Sequence, residues 1–316
     1  MVVENLKTPS LQVLVPCYNE SEHIEETLLS IHEAGKKWPG AFKILVSDNK
    51  SNDNTLELVN ILKSSLTEID VLESNENIGG KRNFSKLMNN ATSELLMFIG
   101  AHDLINEDFF GNIFLEIDKS ANSFIYVGFE TRFSSGESLK KLKNLDKTLY
   151  NFSDTRFRRM IQAILYLHSS TEFHCVFERQ DLDGSILERS KTSSAADHLV
   201  LYVLLSKKNF KYVQGSRFFR RYEEVVGENN SRFNSAGELA SRYTRTNGQS
   251  VVKNKDKFIA SELFNELRLT INLPERLVYF LILRSKHAQY KIFRSFYRLL
   301  RFAYGRLHKI LNFRSI

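Results

Sequence analysis

The chain has 316 residues, 42% of them hydrophobic, with only four prolines and fourteen glycines. This supports one large domain or two smaller ones with a sizeable core and excludes a collagenous or low-complexity chain. The net charge of +7 comes from 44 Lys and Arg against 37 Asp and Glu. It is concentrated at one end: Arg276 to Ile316 holds ten basic residues and no acidic one. The remaining 34 basic and 37 acidic residues leave the body at about −3, so an anionic partner is expected for the tail rather than a basic active cleft.

Cys17 and Cys175 lie far apart in apolar surroundings. They read as reduced core thiols rather than a disulfide, and no zinc-type cluster is present. The first ten residues lack the basic-then-apolar layout of a secretory leader, and no apolar run approaches the ~20 residues needed to span a bilayer. A cytoplasmic chain is expected.

Leu11 to Pro16 predicts a first strand, followed by the loop Cys17-Tyr18-Asn19-Glu20-Ser21. Asn19 or Ser21 is expected to cap the next helix, with Glu22, Glu25 and Glu26 in its first turns and Ile24, Leu28 and Ile31 facing inward. Phe42 to Ser47 predicts a second strand, running into the polar loop Asp48 to Thr55, where Asp53 reads as a helix cap. Leu56, Val59 and Leu62 mark a second helix, and Asp70 to Glu73 a short third strand. The loop Asn75 to Asn83 precedes a helix carrying Phe84, Leu87, Met88 and Ala91.

Leu95 to Ile99 is then a short, continuously apolar run, as expected of a central parallel strand. It breaks into Gly100-Ala101-His102-Asp103. The alternation of strand and helix predicts an α/β fold with a doubly wound, mostly parallel sheet. Ligands bind such sheets at the carboxyl ends of the strands, which is where these polar loops fall. Further on, helices are expected at Glu107–Ile117, Phe157–Leu167 and Ala196–Lys207. Strands are expected at Phe124–Phe129 and Glu172–Phe177, and extended chain at Lys211–Val213 and Arg217–Tyr222. Residues 1–222 would form the catalytic domain, 223–257 a polar connection, and 258–316 a helical cationic extension.

Four stretches in this order resemble the inverting family-2 glycosyltransferases of the GT-A fold: Val15 to Glu20, Ser47 to Thr55, Asn77 to Asn83, and Phe98 to Asp103. The resemblance covers roughly Leu11 to Tyr222. It implies a nucleotide-sugar site made of Pro16, Tyr18, Glu20, Asp48, Lys81, Arg82, Gly100 and Ala101, with Glu20 facing the nucleoside. Tyr18 would wall the base and Asp48 would accept from its N–H. Arg82 would hold the diphosphate or the ribose, since a guanidinium fork fits phosphate oxygens. Each has a plainer alternative: Tyr18 as a packed strand-end aromatic, Glu20 as a first-turn acid, Lys81 as a solvated cation.

The sequence departs from the family at Gly100-Ala101-His102-Asp103. Carboxylates usual at the positions of Gly100 and His102 are replaced, leaving Asp103 with an imidazole beside it. The resemblance implies Mn²⁺ or Mg²⁺, with His102 and Asp103 as its ligands. Imidazole suits manganese better than magnesium. Weak binding, or no metal at all, stays open. Inverting transfer also needs a base for the acceptor hydroxyl. The family's late-helix aspartate matches Asp197, which would otherwise cap a helix, and the acid usually before it is Ala196 here. His198 and His174 are candidates for the acceptor side, with Glu172 beside His174. Arg220 and Arg221 fall where the family often places cations near phosphates.

In the tail, Lys291, Arg294, Arg298 and Arg301 share a helical spacing. Ile292, Phe293, Phe296, Leu299 and Leu300 share another. This pattern suits a helix lying in a membrane interface, ahead of docking on the domain itself, with nucleic acid last. The expected protein is a glycosyltransferase peripheral to the inner face of the cell membrane. It would move a sugar, most simply from a UDP-sugar, to a glycan or lipid-linked acceptor in cell-surface polysaccharide assembly. The alternative is a non-catalytic nucleotide-sugar or glycan-binding protein with a degenerate metal site.

Overall fold

The computed structural model describes residues 8–119, 123–133, 149–166, 171–182 and 196–221. The expected polar connection at 223–257 and the cationic extension at 258–316 lie outside the described residues.

The first half alternates as the hydrophobic pattern requires. It runs β1 (Leu11–Cys17), α1 (Ile24–Gly35), β2 (Phe42–Asp48), α2 (Thr55–Ser65), β3 (Ile69–Glu73), α3 (Gly80–Asn90) and β4 (Leu95–Phe98). There follow β5 (Leu104–Ile105), α4 (Phe109–Lys119), β6 (Ile125–Phe133), α5 (Arg156–Tyr166), β7 (Cys175–Glu178), α6 (Ala196–Lys207) and β8 (Phe210–Arg221). The described strands form one eight-stranded sheet in the order β3-β2-β1-β4-β7-β6-β8-β5.

β1 is central because its apolar run is buried on both faces: Leu11, Val13, Leu14 and Val15 are fully covered. It pairs in parallel with β2, Leu11 opposite Phe42 through Cys17 opposite Asp48. On its other side it pairs in parallel with β4, but only from Leu11 opposite Leu95 to Leu14 opposite Phe98. Leu14 accepts from Ile99 N–H on that side. Pro16, two residues on, therefore faces the same side beyond the end of β4, where its missing N–H leaves no ladder bond unmade. Ile24, Leu28, Ile31 and Ala34 of α1, Val59 of α2 and Phe109, Phe110 and Ile113 of α4 pack the core.

β7 enters antiparallel between β4 and β6. β6 and β8 are parallel, and the two-residue β5 closes the edge against β8 with Leu104 opposite Phe219. The sheet is thus mixed in its second half. A pair as short as β5 leaves no periodic trace, so it was not expected.

Local corrections follow from hydrogen bonding. Neither Asn19 nor Ser21 caps α1; the helix begins at Ile24, and the Glu20 carbonyl accepts from His23 and Ile24 N–H. Asn19 instead adopts a left-handed φ of 56° and its Oδ1 accepts from Asn52 N–H at 2.9 Å, bonding loop to loop. Strand structure does not extend over Glu172–Phe177. Thr171–Phe173 is a 3₁₀ turn and β7 starts at Cys175. The polar-apolar alternation there is satisfied by a turn that aims Glu172 at the Tyr212 hydroxyl and His174 at the Phe98 carbonyl.

The start of α3 is pinned to the end of β2. Ser47 Oγ donates to Asn83 Oδ1 at 2.6 Å and Asn83 Nδ2 donates to the Ser47 carbonyl at 3.0 Å, with both side chains buried. Gly79 precedes the helix with φ 82°, a conformation that costs other residues steric strain. Asn83→Ala leaves Ser47 without these partners, and a loss of about 1–3 kcal/mol in urea unfolding is expected. An unchanged unfolding midpoint would show that the pair holds nothing.

Candidate active site

β1, β2 and β4 are parallel, so the loops that follow them leave from one edge of the sheet, and cross-bonds tie these loops together. Asn49 N–H donates to the Cys17 carbonyl at 3.0 Å, Asn19 N–H to Ser51 Oγ at 3.0 Å and Glu20 N–H to Thr55 Oγ1 at 2.8 Å. Asp53 accepts from Thr55 N–H at 3.0 Å and from Ser21 N–H at 3.2 Å. Burial opposes its charge, but these bonds outweigh burial and hold the carboxyl below its ordinary range. Asp53 thus serves α2 and the loop rather than a ligand.

Asp48 ends β2 and is 2% exposed. Its carboxylate accepts from Ser51 N–H at 3.0 Å and Ser51 Oγ at 2.5 Å, which fixes its orientation. Cys17 Sγ lies 3.8 Å from the same carboxylate. Burial, and then the charge of Asp48, keep this thiol protonated by pushing its pKa well up. Pro16 and Tyr18 flank Cys17, both half-buried. In the first turn of α3, Lys81 is half-buried and Arg82 exposed.

The turn after β4 is the most constrained part of the site. Ala101 is buried and its carbonyl accepts from Thr27 Oγ1 of α1 at 3.0 Å. His102 Nδ1 lies 3.1 Å from Glu20 Oε1, joining the loops after β1 and β4. Burial disfavours a charged imidazole there, but the hydrogen bond to Glu20 and the field of Asp103 outweigh it and raise the His102 pKa. Asp103 is 2% exposed and its Oδ1 accepts from Arg221 N–H at 3.0 Å. Arg221 does not face outward as a phosphate-binding cation would. It is buried, with Nε donating to the His102 carbonyl at 2.9 Å and its guanidinium carbon 4.6 Å from the Phe133 ring centre. Arg220 Nη1 lies 3.7 Å from the buried Glu130 carboxylate.

Gly100 matters through the space it leaves. A Cβ at this position would lie 2.9 Å from Asp103 Oδ2 and 3.5 Å from His102 Nε2. One carboxylate oxygen and one imidazole nitrogen therefore converge on a notch that any side chain would fill. Among the described residues no group of three or more His, Cys, Asp and Glu is placed to hold a metal ion. The nitrogen-plus-oxygen donor pair is nonetheless of a kind that Mn²⁺ accepts.

His174 donates from Nδ1 to the Phe98 carbonyl at 3.0 Å, and its ring stacks on Phe218 with centres 4.2 Å apart. Phe98 in turn stacks on Phe173 at 5.2 Å and meets Phe84 of α3 at 5.1 Å. The turn before β7 is thereby fixed to the end of β4. Asp197 stands in the first turn of α6, half-buried, and α6 packs against the Thr171–Phe173 turn. The side chain of His198 lies outside the described residues. The structure joins Glu20 to His102 by direct contact, holds Asp103 on the Arg221 amide and fixes Asp48 at the end of β2. Sequence reasoning missed Asn83, Asn49 and the inward turn of Arg221. The first two stood in quoted motifs, but only hydrogen bonding assigns them a task.

This sheet and its crown of loops have the GT-A architecture. The Glycosyl transferase family 2 model matches residues 12–183, and the chain belongs to that family. Abequosyltransferase RfbV of Salmonella typhimurium is 26% identical over 154 residues, which are 46% of this chain and 45% of RfbV. The chain therefore matches less than half the length of that relative. Among solved structures, S. aureus TarS 1–349 in complex with UDP-GlcNAc superposes with a TM-score of 0.52 at 17% identity, over 87% of this chain and 79% of TarS 1–349. GalNAc-T7 with UDP, GalNAc and Mn²⁺ gives 0.51 at 12% identity, over 82% of this chain and 55% of that one. At such identities the likeness is one of fold. No helix among the described residues is long and apolar enough to cross a membrane.

Burial lowers the His174 pKa from 6.5 to about 4, so the folded protein keeps this ring neutral. As pH falls from 6.5 towards 4 the unfolded chain takes up a proton that the folded one refuses. Stability is expected to drop across that window by up to about 3 kcal/mol. Urea titrations at pH 7 and pH 4.5 should show this loss reduced in His174→Gln; an equal loss in both proteins would contradict it.

Proposed function

We propose that this protein transfers a sugar from a nucleoside-diphosphate donor, a UDP-sugar in the simplest case, with inversion at the anomeric carbon. The acceptor is a glycan or lipid-linked glycan, and the setting is cell-surface polysaccharide assembly. The observation that carries the proposal is the strand-end corner in which Glu20 meets His102, with Asp103 next in the chain, on the same sheet edge as the fixed carboxylate of Asp48. Relatives support the same reading: TarS was crystallised with UDP-GlcNAc, and RfbV is named as an abequosyltransferase.

In this reading Asp48 accepts from the base N–H and Tyr18 covers the base face. Lys81 and Arg82, at the N-terminus of α3, face the diphosphate, where the helix dipole also favours anions. His102 and Asp103 would hold a divalent cation, which when bound supplies positive charge to the leaving diphosphate. Asp197 takes the proton of the acceptor hydroxyl. The acceptor oxygen bonds to the anomeric carbon as the bond to the β-phosphate oxygen breaks, and the nucleoside diphosphate departs with that electron pair. His174, neutral at physiological pH, and His198 belong to the acceptor side. The ten basic residues from Arg276 to Ile316, without an acid among them, support peripheral attachment to an anionic membrane face.

Asp197→Asn removes the base while preserving shape. Transfer should fall by about 10²–10⁴-fold with UDP affinity unchanged, as read by product formation and calorimetry. Full turnover in this variant would remove Asp197 from the mechanism. UDP binding without turnover by the wild type, across a panel of donors and acceptors, would favour the non-catalytic nucleotide-sugar binder. Asp48→Ala should weaken UDP binding itself by about tenfold or more, the loss of a charge-assisted hydrogen bond. Unchanged affinity would exclude Asp48 from the base site.

A further inference from the structure

Asp103 and His102 each have one atom committed behind the corner and one facing the notch over Gly100. Asp103 Oδ1 accepts from Arg221 N–H at 3.0 Å, leaving Oδ2 over the notch. His102 Nδ1 lies 3.1 Å from Glu20 Oε1, leaving Nε2 over the same notch. An ionised carboxylate only accepts, so Nδ1 carries the hydrogen and, in the neutral ring, the lone pair falls on Nε2.

Arg221 contributes more than its amide. Its Nε donates to the His102 carbonyl at 2.9 Å, and Nη2 pairs with Glu26 of α1 at 2.5 Å. Its side chain is only 6% exposed. One residue thus fixes the backbone at 102 and the carboxylate at 103, and braces both against α1. A lysine ammonium lacks the planar fork that reaches the His102 carbonyl and Glu26 from one side chain, while the main-chain bond to Asp103 would remain.

We infer that Glu20 and Arg221 are positioning residues for the cation corner, Glu20 setting the His102 tautomer and the Arg221 guanidinium bracing the 102 backbone against α1, which keeps its own amide on the Asp103 carboxylate. The inference rests on the reading of His102 and Asp103 as the residues that hold a divalent cation. It reassigns Glu20 from the nucleoside to the histidine, and Arg221 from the phosphates to the corner. Neither residue touches the cation. Together they supply the orientation for which a third carboxylate is missing at Gly100. They also fix a nitrogen donor, which favours Mn²⁺ over the harder Mg²⁺.

The test uses the full chain with UDP and Mn²⁺. Free Mn²⁺ is followed by electron paramagnetic resonance with and without competing Mg²⁺, and the His102 tautomer by ¹⁵N NMR. Glu20→Gln and Arg221→Lys should each weaken Mn²⁺ binding by about tenfold or more. Glu20→Gln should also move the His102 signature, because an amide can donate to Nδ1 and drive the hydrogen to Nε2. Glu26→Gln leaves Arg221 in place and disturbs the fold less; a smaller loss of Mn²⁺ affinity is expected. Folded variants with wild-type Mn²⁺ affinity and an unmoved His102 signature would overturn the inference while leaving the transfer reading intact. Transfer by the wild type without any Mn²⁺ binding would overturn it together with the cation part of that reading. Variant-sensitive Mn²⁺ binding in a protein that transfers no sugar would support it and sink the transfer reading.

Discussion

The parallel placement of β1 between β2 and β4 is the constraint on which the site depends. Parallel neighbours end at the same edge, so residues from Tyr18, Asp48 and Gly100 onward become neighbours although far apart in the chain. Register decides the rest. Cys17 pairs with Asp48, which starts the loops after β1 and β2 side by side. Their amides and side chains then bond to each other, through Asn19, Ser51, Asn52 and Thr55, as well as within each loop. The mouth of the site is a woven rim, and it stays in place because its polar groups are satisfied there.

Much of this was legible in the sequence. Apolar runs as continuous as Leu11–Val15 and Leu95–Ile99 have few alternatives to a buried parallel strand. The polar loops follow them at once, so the site's edge could be located from spacing alone. What escaped was set by contacts distant in sequence. β5 pairs with β8, which follows it by more than a hundred residues, and its two residues carry no period of their own. The turn at Thr171–Phe173 mimics a strand's alternation, and only the partners Tyr212 and Phe98 reveal otherwise. Arg221 looked like a surface cation beside Arg220. The Phe133 ring, Glu26 and the His102 carbonyl pull it inward, and none of them adjoins it in the chain.

Apart from Ala196, the departures from the family pattern fall at Gly100–Asp103 and are chemically consistent. Replacing a carboxylate by Gly100 removes a negative charge and opens the notch. Replacing another by His102 removes a second charge and brings in a donor that Glu20 can orient. The corner therefore carries less negative charge than one built from three acids. Glu20 orients the His102 ring, and the Arg221 amide braces Asp103 from behind. A corner of this kind depends more on orientation and less on charge density than the usual arrangement.

Pro16 has an effect beyond its own position. Parallel strands tend to go on pairing wherever amides and carbonyls line up, and an extended chain next to β1 past Phe98 could continue the ladder into the cleft. The pyrrolidine nitrogen offers no hydrogen on that side, so the zipper halts at Leu14. The ladder to β4 stops there while β1 runs on beside β2 to Cys17, so one flank of the central strand is released three residues before the other.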